Sequence, residues 1–108
     1  MKHSYVEYVP AFKALSDETR LKIIDMLSCG ELCACEILEA VSISQSTLSY
    51  HMKILVESGI VNGRRDGAWM RYTLNGEKTD AVLAFLADIT SETEDCICKS
   101  IEKKDCCS

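Results

Sequence analysis

The hydrophobic period of the chain changes from helical to alternating at Gly59, and that change limits the folds open to it. Before Gly59, apolar residues recur every three or four positions, the spacing of one helix face. After it they alternate, and Asp66-Gly67 stands as a hairpin dipeptide between the strand-like runs Ile60 to Arg65 and Ala68 to Leu74. Just upstream, Gln45 to Ser58 reads as a helix, with Ser44 as its N-cap and Gly59 closing it. Ser42-Ile43-Ser44 separates that helix from a shorter one, Glu31 to Val41, whose Leu32, Leu38 and Val41 are expected inward. Two helices on a three-residue turn, followed at once by a β-ribbon, are in the order of a winged helix-turn-helix. The fold class expected is mainly α with a small β-hairpin.

The flanks fit that plan. Tyr5, Tyr8, Val9, Phe12 and Leu15 form one helical stripe that Pro10 interrupts, which predicts a helix from Pro10 to Leu15 with Tyr5 to Val9 as a separate turn or kinked extension. Ser16 or Asp17 caps the next helix, whose stripe is Leu21, Ile24 and Leu27 and whose end is Gly30. On the second strand Met70, Tyr72 and Leu74 should face in, with Trp69, Arg71 and Thr73 facing out. A last helix, Glu77 to Thr90, carries the stripe Val82, Phe85, Leu86 and Ile89. With 108 residues, one domain is expected over residues 1–90, and residues 91–108 form a charged, cysteine-containing tail.

Composition removes several classes. No apolar run approaches the roughly 20 residues needed to cross a bilayer, and Met1 to Pro10 holds no signal-like apolar segment, so a cytoplasmic protein without membrane contact is expected. No H-E-x-x-H, G-x-S-x-G or P-loop is present, and with His3 and His51 as the only histidines an enzyme is not expected. The net charge of -5 hides its distribution: residues 42–75 carry four basic groups (Lys53, Arg64, Arg65, Arg71) against two acidic ones, while every other region is acidic.

At about 100° per residue, Leu48, Met52 and Leu55 lie within an arc of about 60° on the helix Gln45 to Ser58 and form its packing face. Gln45 and Ser46 open the helix, and Ser46, Ser49, Tyr50, Lys53 and Glu57 fall on the opposite side. That small, polar and aromatic face suits a helix that lies in a major groove and donates to base edges and phosphates. His51 sits beside the packing face and is expected to be a packed, hydrogen-bonded residue. Arg64, Arg65 and Arg71 on the hairpin would reach phosphate or the minor groove, the alternative being a solvated charged ribbon.

Seven cysteines is a high and odd number for so short a chain. In a reducing compartment it points to thiolates kept for metal or redox chemistry. Cys33 and Cys35 are two apart in the expected third helix, with Cys29 shortly before them. On a regular helix such positions point about 200° apart, so one soft ion could hold both sulfurs only by unwinding the turn, which would couple ligand to DNA affinity. The tail holds Cys96, Cys98, Cys106 and Cys107, a poor zinc pattern; a second soft-metal site, thiols that hand metal over, and an incidental tail are all open.

Three segments, Leu15-Ser16-Asp17-Glu18-Thr19-Arg20-Leu21, Glu31-Leu32-Cys33-Ala34-Cys35-Glu36 and Ser44-Gln45-Ser46-Thr47-Leu48-Ser49-Tyr50-His51-Met52, give the chain a close resemblance to the ArsR/SmtB family of metal-sensing repressors. The resemblance covers roughly residues 8–90 and leaves the tail outside it. It implies a homodimer paired through the first and last helices, with Tyr5, Val9, Phe12, Val82, Phe85, Leu86 and Ile89 at the interface. It also implies a palindromic double-stranded operator, released when metal binds, with residues 45–58 as recognition helix and residues 60–74 as wing. The E-L-C-x-C segment looks like the thiolate site of arsenic- and cadmium-sensing members. Zinc and nickel branches use histidines on the last helix, and none follows His51; the cadmium and lead branch adds N-terminal cysteines, and none precedes Cys29. That leaves arsenite or antimonite, which prefer three thiolates. The position of the family's usual third cysteine is Leu38 here, so Cys29 or a tail cysteine is the remaining candidate.

The reading that results is a metalloid-responsive repressor in which Cys33 and Cys35 bind the inducer and Gln45, Ser46, Ser49, Tyr50 and Lys53 touch the operator. Its alternatives are a thiol-redox or cadmium- or lead-responsive repressor of the same fold, and a soft-metal carrier.

Overall fold

The computed structural model describes residues 4–91. In chain order the elements are α1 (Tyr5–Ala14), α2 (Glu18–Leu27), β1 (Leu32–Cys33), α3 (Ala34–Ala40), α4 (Gln45–Glu57), β2 (Val61–Asp66), β3 (Trp69–Leu74) and α5 (Gly76–Ile89). The three strands form one antiparallel sheet with β3 in the centre, in the order β1-β3-β2. The architecture is a winged helix-turn-helix. Among the described residues no helix is long and apolar enough to cross a membrane.

Ile23, Ile37, Leu55, Ile60 and Val61 are fully buried, and Leu27, Val41, Leu48, Met52, Tyr72 and Val82 close around them. Leu48, Met52 and Leu55 thus occupy the inner face of α4 as expected, and His51 is buried beside them. Met70 and Leu74 pack on the core with the buried Tyr72, while Trp69 is exposed.

Several local expectations are corrected. The first helix runs unbroken from Tyr5 through Pro10 to Ala14 instead of starting at the proline. Pro10 removes one intrahelical bond, but it is exposed, and the rings of Tyr8 and Phe12 on either side of it both pack on Phe85, Tyr8 stacked at 4.1 Å between centroids. In α2 the inner residues are Arg20, Ile23 and Leu27, and Leu21 is half exposed. The helix is rotated because the aliphatic stem and head of Arg20 are themselves drawn inside. Asp17 is its N-cap, accepting from the Arg20 N–H at 3.1 Å, and the helix stops at Leu27, ahead of Gly30. The last helix begins one residue early, at Gly76, with Asn75 as N-cap.

The expected helix Glu31 to Val41 begins three residues late, because Leu32 and Cys33 pair with Tyr72 and Arg71 of β3 as an added sheet edge. Ile37, and not Leu32 or Leu38, is its fully buried residue. The hairpin is also shifted by one position. Asp66 pairs with Trp69, so the two-residue loop is Gly67-Ala68. Gly67 has φ +64° and Ala68 a negative φ, the sign pattern of a type II′ turn.

Candidate nucleic-acid interface and thiol site

Ser44 anchors α4, its hydroxyl accepting from the Thr47 N–H at 3.2 Å and donating to the Thr47 hydroxyl at 2.8 Å. With Leu48, Met52 and Leu55 turned inward, Gln45, Ser46, Ser49, Tyr50 and Lys53 are left exposed, as the sequence requires of a reading face. Tyr50 is the large residue of that face, 62% exposed. No acidic residue falls in the first turn of α4, so the positive end of its macrodipole is uncompensated there.

The wing is less basic in effect than in composition. Arg64 donates two bonds to Glu31, at 3.0 and 3.2 Å, and Arg71 donates to Asp66 at 2.8 Å, a bond that holds the Arg71 guanidinium even more firmly protonated. Arg65, exposed on β2, has no ion-pair partner among the described residues. Of the three arginines expected to meet phosphate, Arg65 alone is thus available without breaking a pair.

Behind the reading helix lies a contact that the sequence did not disclose. Arg20 is buried, with its Nε donating to the Ala14 carbonyl at 2.8 Å, one terminal nitrogen donating to the Lys13 carbonyl at 3.2 Å, and the other 3.0 Å from Nδ1 of His51. It satisfies carbonyls at the end of α1, starts α2 and grips α4 at once. The charge pattern concealed it, since an arginine between Thr19 and Leu21 reads as solvated surface. His51 is the packed, hydrogen-bonding residue expected.

The thiols are arranged differently from the helical expectation. Cys33 is the N-cap residue of α3, with extended backbone (φ -86°, ψ 160°), and Cys35 lies in the first turn. A cap lies off the helical path, so Cys33 and Cys35 need not point apart as they would on a regular helix. Interaction with the Cys35 thiol, first, and then burial push the Cys33 thiol above the usual thiol range. Glu36 accepts the Cys33 N–H at 2.9 Å, completing a capping box in which sulfur replaces the usual hydroxyl. That bond holds the Glu36 carboxyl below the usual carboxylate range. The signal was present in the sequence as Cys33-x-x-Glu36, a box with an unusual first letter.

Cys29 lies exposed in the turn after α2, and among the described residues no group of three or more His, Cys, Asp or Glu side chains is placed to hold a metal ion. Cys96, Cys98, Cys106 and Cys107 lie outside the described residues. Cys35 opens onto a cleft of about 500 Å³ between α3, α4 and the wing, which Gln45, Ser49, Arg65 and Trp69 also line. Cys35 and the reading face therefore share one hollow. The residues expected at a dimer interface divide: Val82 and Phe85 are buried within the protomer and Phe12 partly so, while Tyr5, Val9, Leu86 and Ile89 are exposed together with Val6 and Leu83.

A family profile described as "Bacterial regulatory protein, arsR family" matches residues 17–63. The chain is similar to an arsenical resistance operon repressor of Staphylococcus aureus, 46% identical over 95% of this chain and 99% of that one. It is also similar to one of Bacillus subtilis, 35% identical over 94% and 90%. Among solved structures it resembles a homodimeric winged helix-turn-helix DNA-binding domain from Mycobacterium bovis, with TM-score 0.66 and 28% identity over 80% of each chain.

Proposed function

The chain belongs to the arsR family of bacterial regulatory proteins and is a metalloid-responsive transcriptional repressor, and from that premise we propose that it binds operator DNA as a homodimer and releases it when arsenite or antimonite bonds to Cys33 and Cys35. The observation that carries this reading is the place of the two thiols at the start of α3, Cys33 as its cap and Cys35 in its first turn on the wall of the cleft that the recognition helix and wing complete.

The route from ligand to DNA is short. Cys33 is both the cap of α3 and the sheet partner of Arg71 on β3. Drawing the two sulfurs onto one ion replaces the interaction between the two thiols, disturbs the capping box and pulls on the strand that carries the wing. A switch needs about 1 to 3 kcal/mol of coupling between the sites, within reach of a lost cap and a moved strand edge. Gln45, Ser46, Ser49, Tyr50 and Lys53 read the major groove, and Arg65 meets phosphate first, with Arg64 and Arg71 following if their carboxylate partners let go.

The dimer rests on α1 and α5. Tyr5, Val9, Leu86 and Ile89 are each more than 40% exposed in one protomer, with Val6 at 77% and Leu83 at 66%. Apolar surface of that kind along two adjacent helices is a self-complementary patch for a two-fold partner, and one solved relative is homodimeric. A dimer places two recognition helices on two half-sites, which is why the operator should be palindromic. A regulator of this kind works in the cytoplasm, where its DNA is.

Fluorescence anisotropy of a duplex spanning the gene's own promoter tests the proposal, with reduced protein challenged by arsenite, antimonite, cadmium, zinc and peroxide. Release by arsenite that disappears in Cys33→Ser and Cys35→Ser supports it. Repeating the titration with Cys29 and the four tail cysteines changed to serine shows whether any of them fills the third position on arsenic. Release by peroxide or cadmium alone overturns the ligand, and absence of DNA binding at low salt leaves a soft-metal carrier.

A further inference from the structure

We propose that Arg20 and His51 are positioning residues for operator binding: their contact sets the seat of the recognition helix, and a proton on His51, which trades Arg20 for Asp17, unseats that helix as pH falls. The inference rests on the reading of α4 as the operator-binding helix given above and adds to it a control by pH that passes through neither thiol.

Leu48, Met52 and Leu55 bury the inner face of α4, but apolar burial is non-directional and holds a helix against the core without fixing its exact rotation. Arg20 supplies a direction. Its guanidinium is tied to the Ala14 carbonyl at 2.8 Å and the Lys13 carbonyl at 3.2 Å, and from that anchored position it meets Nδ1 of His51 at 3.0 Å. His51 is buried, directly follows the exposed Tyr50 and lies edge-to-face with its ring, 5.4 Å between centroids. Contacts to base edges need hydrogen-bond distances. Where His51 is held therefore decides where Ser49, Tyr50 and Lys53 stand on the groove.

The contact exists in one protonation state. A guanidinium only donates, so the ring must present a bare Nδ1, which the neutral imidazole does and the imidazolium does not. When Nδ1 takes a proton from solvent and Nε2 keeps its own, two donors and two positive charges face each other. A second partner stands close by: Oδ2 of Asp17 is 3.9 Å from the same Nδ1, just beyond hydrogen-bond length. The Asp17 carboxyl, held below the usual carboxylate range chiefly by the Arg20 N–H, stays ionised in mild acid. The protonated ring turns to Asp17, and Arg20 lets go of α4. The titratable groups that face the ring are thus Arg20 and Asp17 from α2 and its cap and Tyr50 from α4, while α1 presents the two carbonyls that Arg20 holds. Among the described residues Asp17 is the carboxylate within ion-pair distance of the ring.

The expected sign differs from that of charge alone. An added positive charge on a DNA-binding helix strengthens its attraction to phosphate, whereas a lost seat weakens the reading contacts. By linkage, an operator that selects the neutral ring makes that ring harder to protonate in the complex than in the free protein.

Operator affinity of the reduced full-length chain is measured from pH 8 to pH 5.5 at fixed salt, with His3→Gln so that His51 is the one imidazole. The expected result is a fall of about tenfold over that range. His51→Asn keeps an acceptor near the place of Nδ1 and does not titrate. Compared with its own affinity at pH 8 it should show no such fall, and at pH 8 it should bind more tightly than His51→Leu, which offers no acceptor. Nitrogen NMR of the ring in the His3→Gln chain keeps the test independent of how those variants fold: the proton should sit on Nε2 at pH 8, and the ring should protonate at lower pH with operator bound than without it. Affinity that holds or rises as pH falls, a fall equally steep in His51→Asn, or a ring that protonates more readily on the operator overturns this inference while the repressor reading stands. Absence of operator binding at pH 8 overturns the repressor reading and this inference with it.

Discussion

One terminal nitrogen of Arg20 lies 3.0 Å from Nδ1 of His51, so the first turn of α2 holds the recognition helix by its buried side. A guanidinium only donates, so Nδ1 accepts and the proton of the neutral imidazole sits on Nε2. Removing the arginine strands the Ala14 carbonyl and one ring nitrogen in the interior, while the Lys13 carbonyl keeps its bonds from Ser16. Arg20→Ala is expected to lower unfolding stability by about 2 to 4 kcal/mol. Urea denaturation measures it, and a double-mutant cycle with His51→Ala should show coupling between the two positions. Additive losses would mean that the contact does not join the helices energetically.

Dimerisation is tested on α5. Leu86→Asp and Ile89→Asp each place a charge in exposed apolar surface that a partner would desolvate, while touching little inside the protomer. Sedimentation velocity at micromolar concentration should then find monomer where the parent is dimer, and operator affinity should fall at least tenfold. A variant that remains dimeric moves the interface elsewhere.

The wing can be examined through salt dependence. Arg65 is the hairpin arginine without a carboxylate partner among the described residues. Arg65→Ala should therefore reduce the slope of log K against log salt by about 0.9 per subunit. Glu31→Gln frees Arg64 from its two-bond pairing and should tighten DNA binding at low salt. An unchanged slope in the first variant, or weaker binding in the second, would remove these residues from the interface.

Asp17 predicts a pH effect with a definite sign. The Arg20 N–H, first, and then the positive charge of Arg20 hold its carboxyl below the usual carboxylate range. A folded value lower than the unfolded one stabilises the fold above about pH 4, and the contribution is lost as pH falls further through the folded value. Unfolding midpoints followed from pH 6 to pH 2 should decline less steeply in Asp17→Asn, and identical profiles would show that Asp17 does not contribute to the slope.

Thiol reactivity separates the two candidate ligands. Cys35 is exposed, whereas Cys33 is buried and its thiol is held protonated chiefly by its interaction with Cys35. Because the thiolate is the reacting form, iodoacetamide near pH 7 should label Cys35 well before Cys33, and raising the pH should narrow the gap. Peptide mass spectrometry reads both sites. Labelling of Cys33 first would contradict that interaction.

Much of the molecule is decided by short-range pattern. The packing face of α4, its cap at Ser44, the turn before it and the hairpin after it depend on residues within a few positions of one another, and periodicity and cap chemistry expose them directly. The same locality leaves Ser46, Ser49, Tyr50 and Lys53 on the outside, because each is turned away from Leu48, Met52 and Leu55, and leaves Gln45 exposed at the open first turn. Cys33 and Cys35 stood out as a pair for their spacing alone. Tertiary structure decided their geometry: Leu32 and Cys33 are taken into the sheet by Tyr72 and Arg71, far along the chain, and that pairing makes Cys33 a cap instead of a helical residue. Arg20 turned inward for a similar reason, since the carbonyls and ring that receive it come from α1 and α4. Single-chain periodicity assigns a face by hydrophobicity, but a buried charge or a two-residue strand is stabilised only by partners distant in sequence, and those partners exist once the helices and the wing have packed.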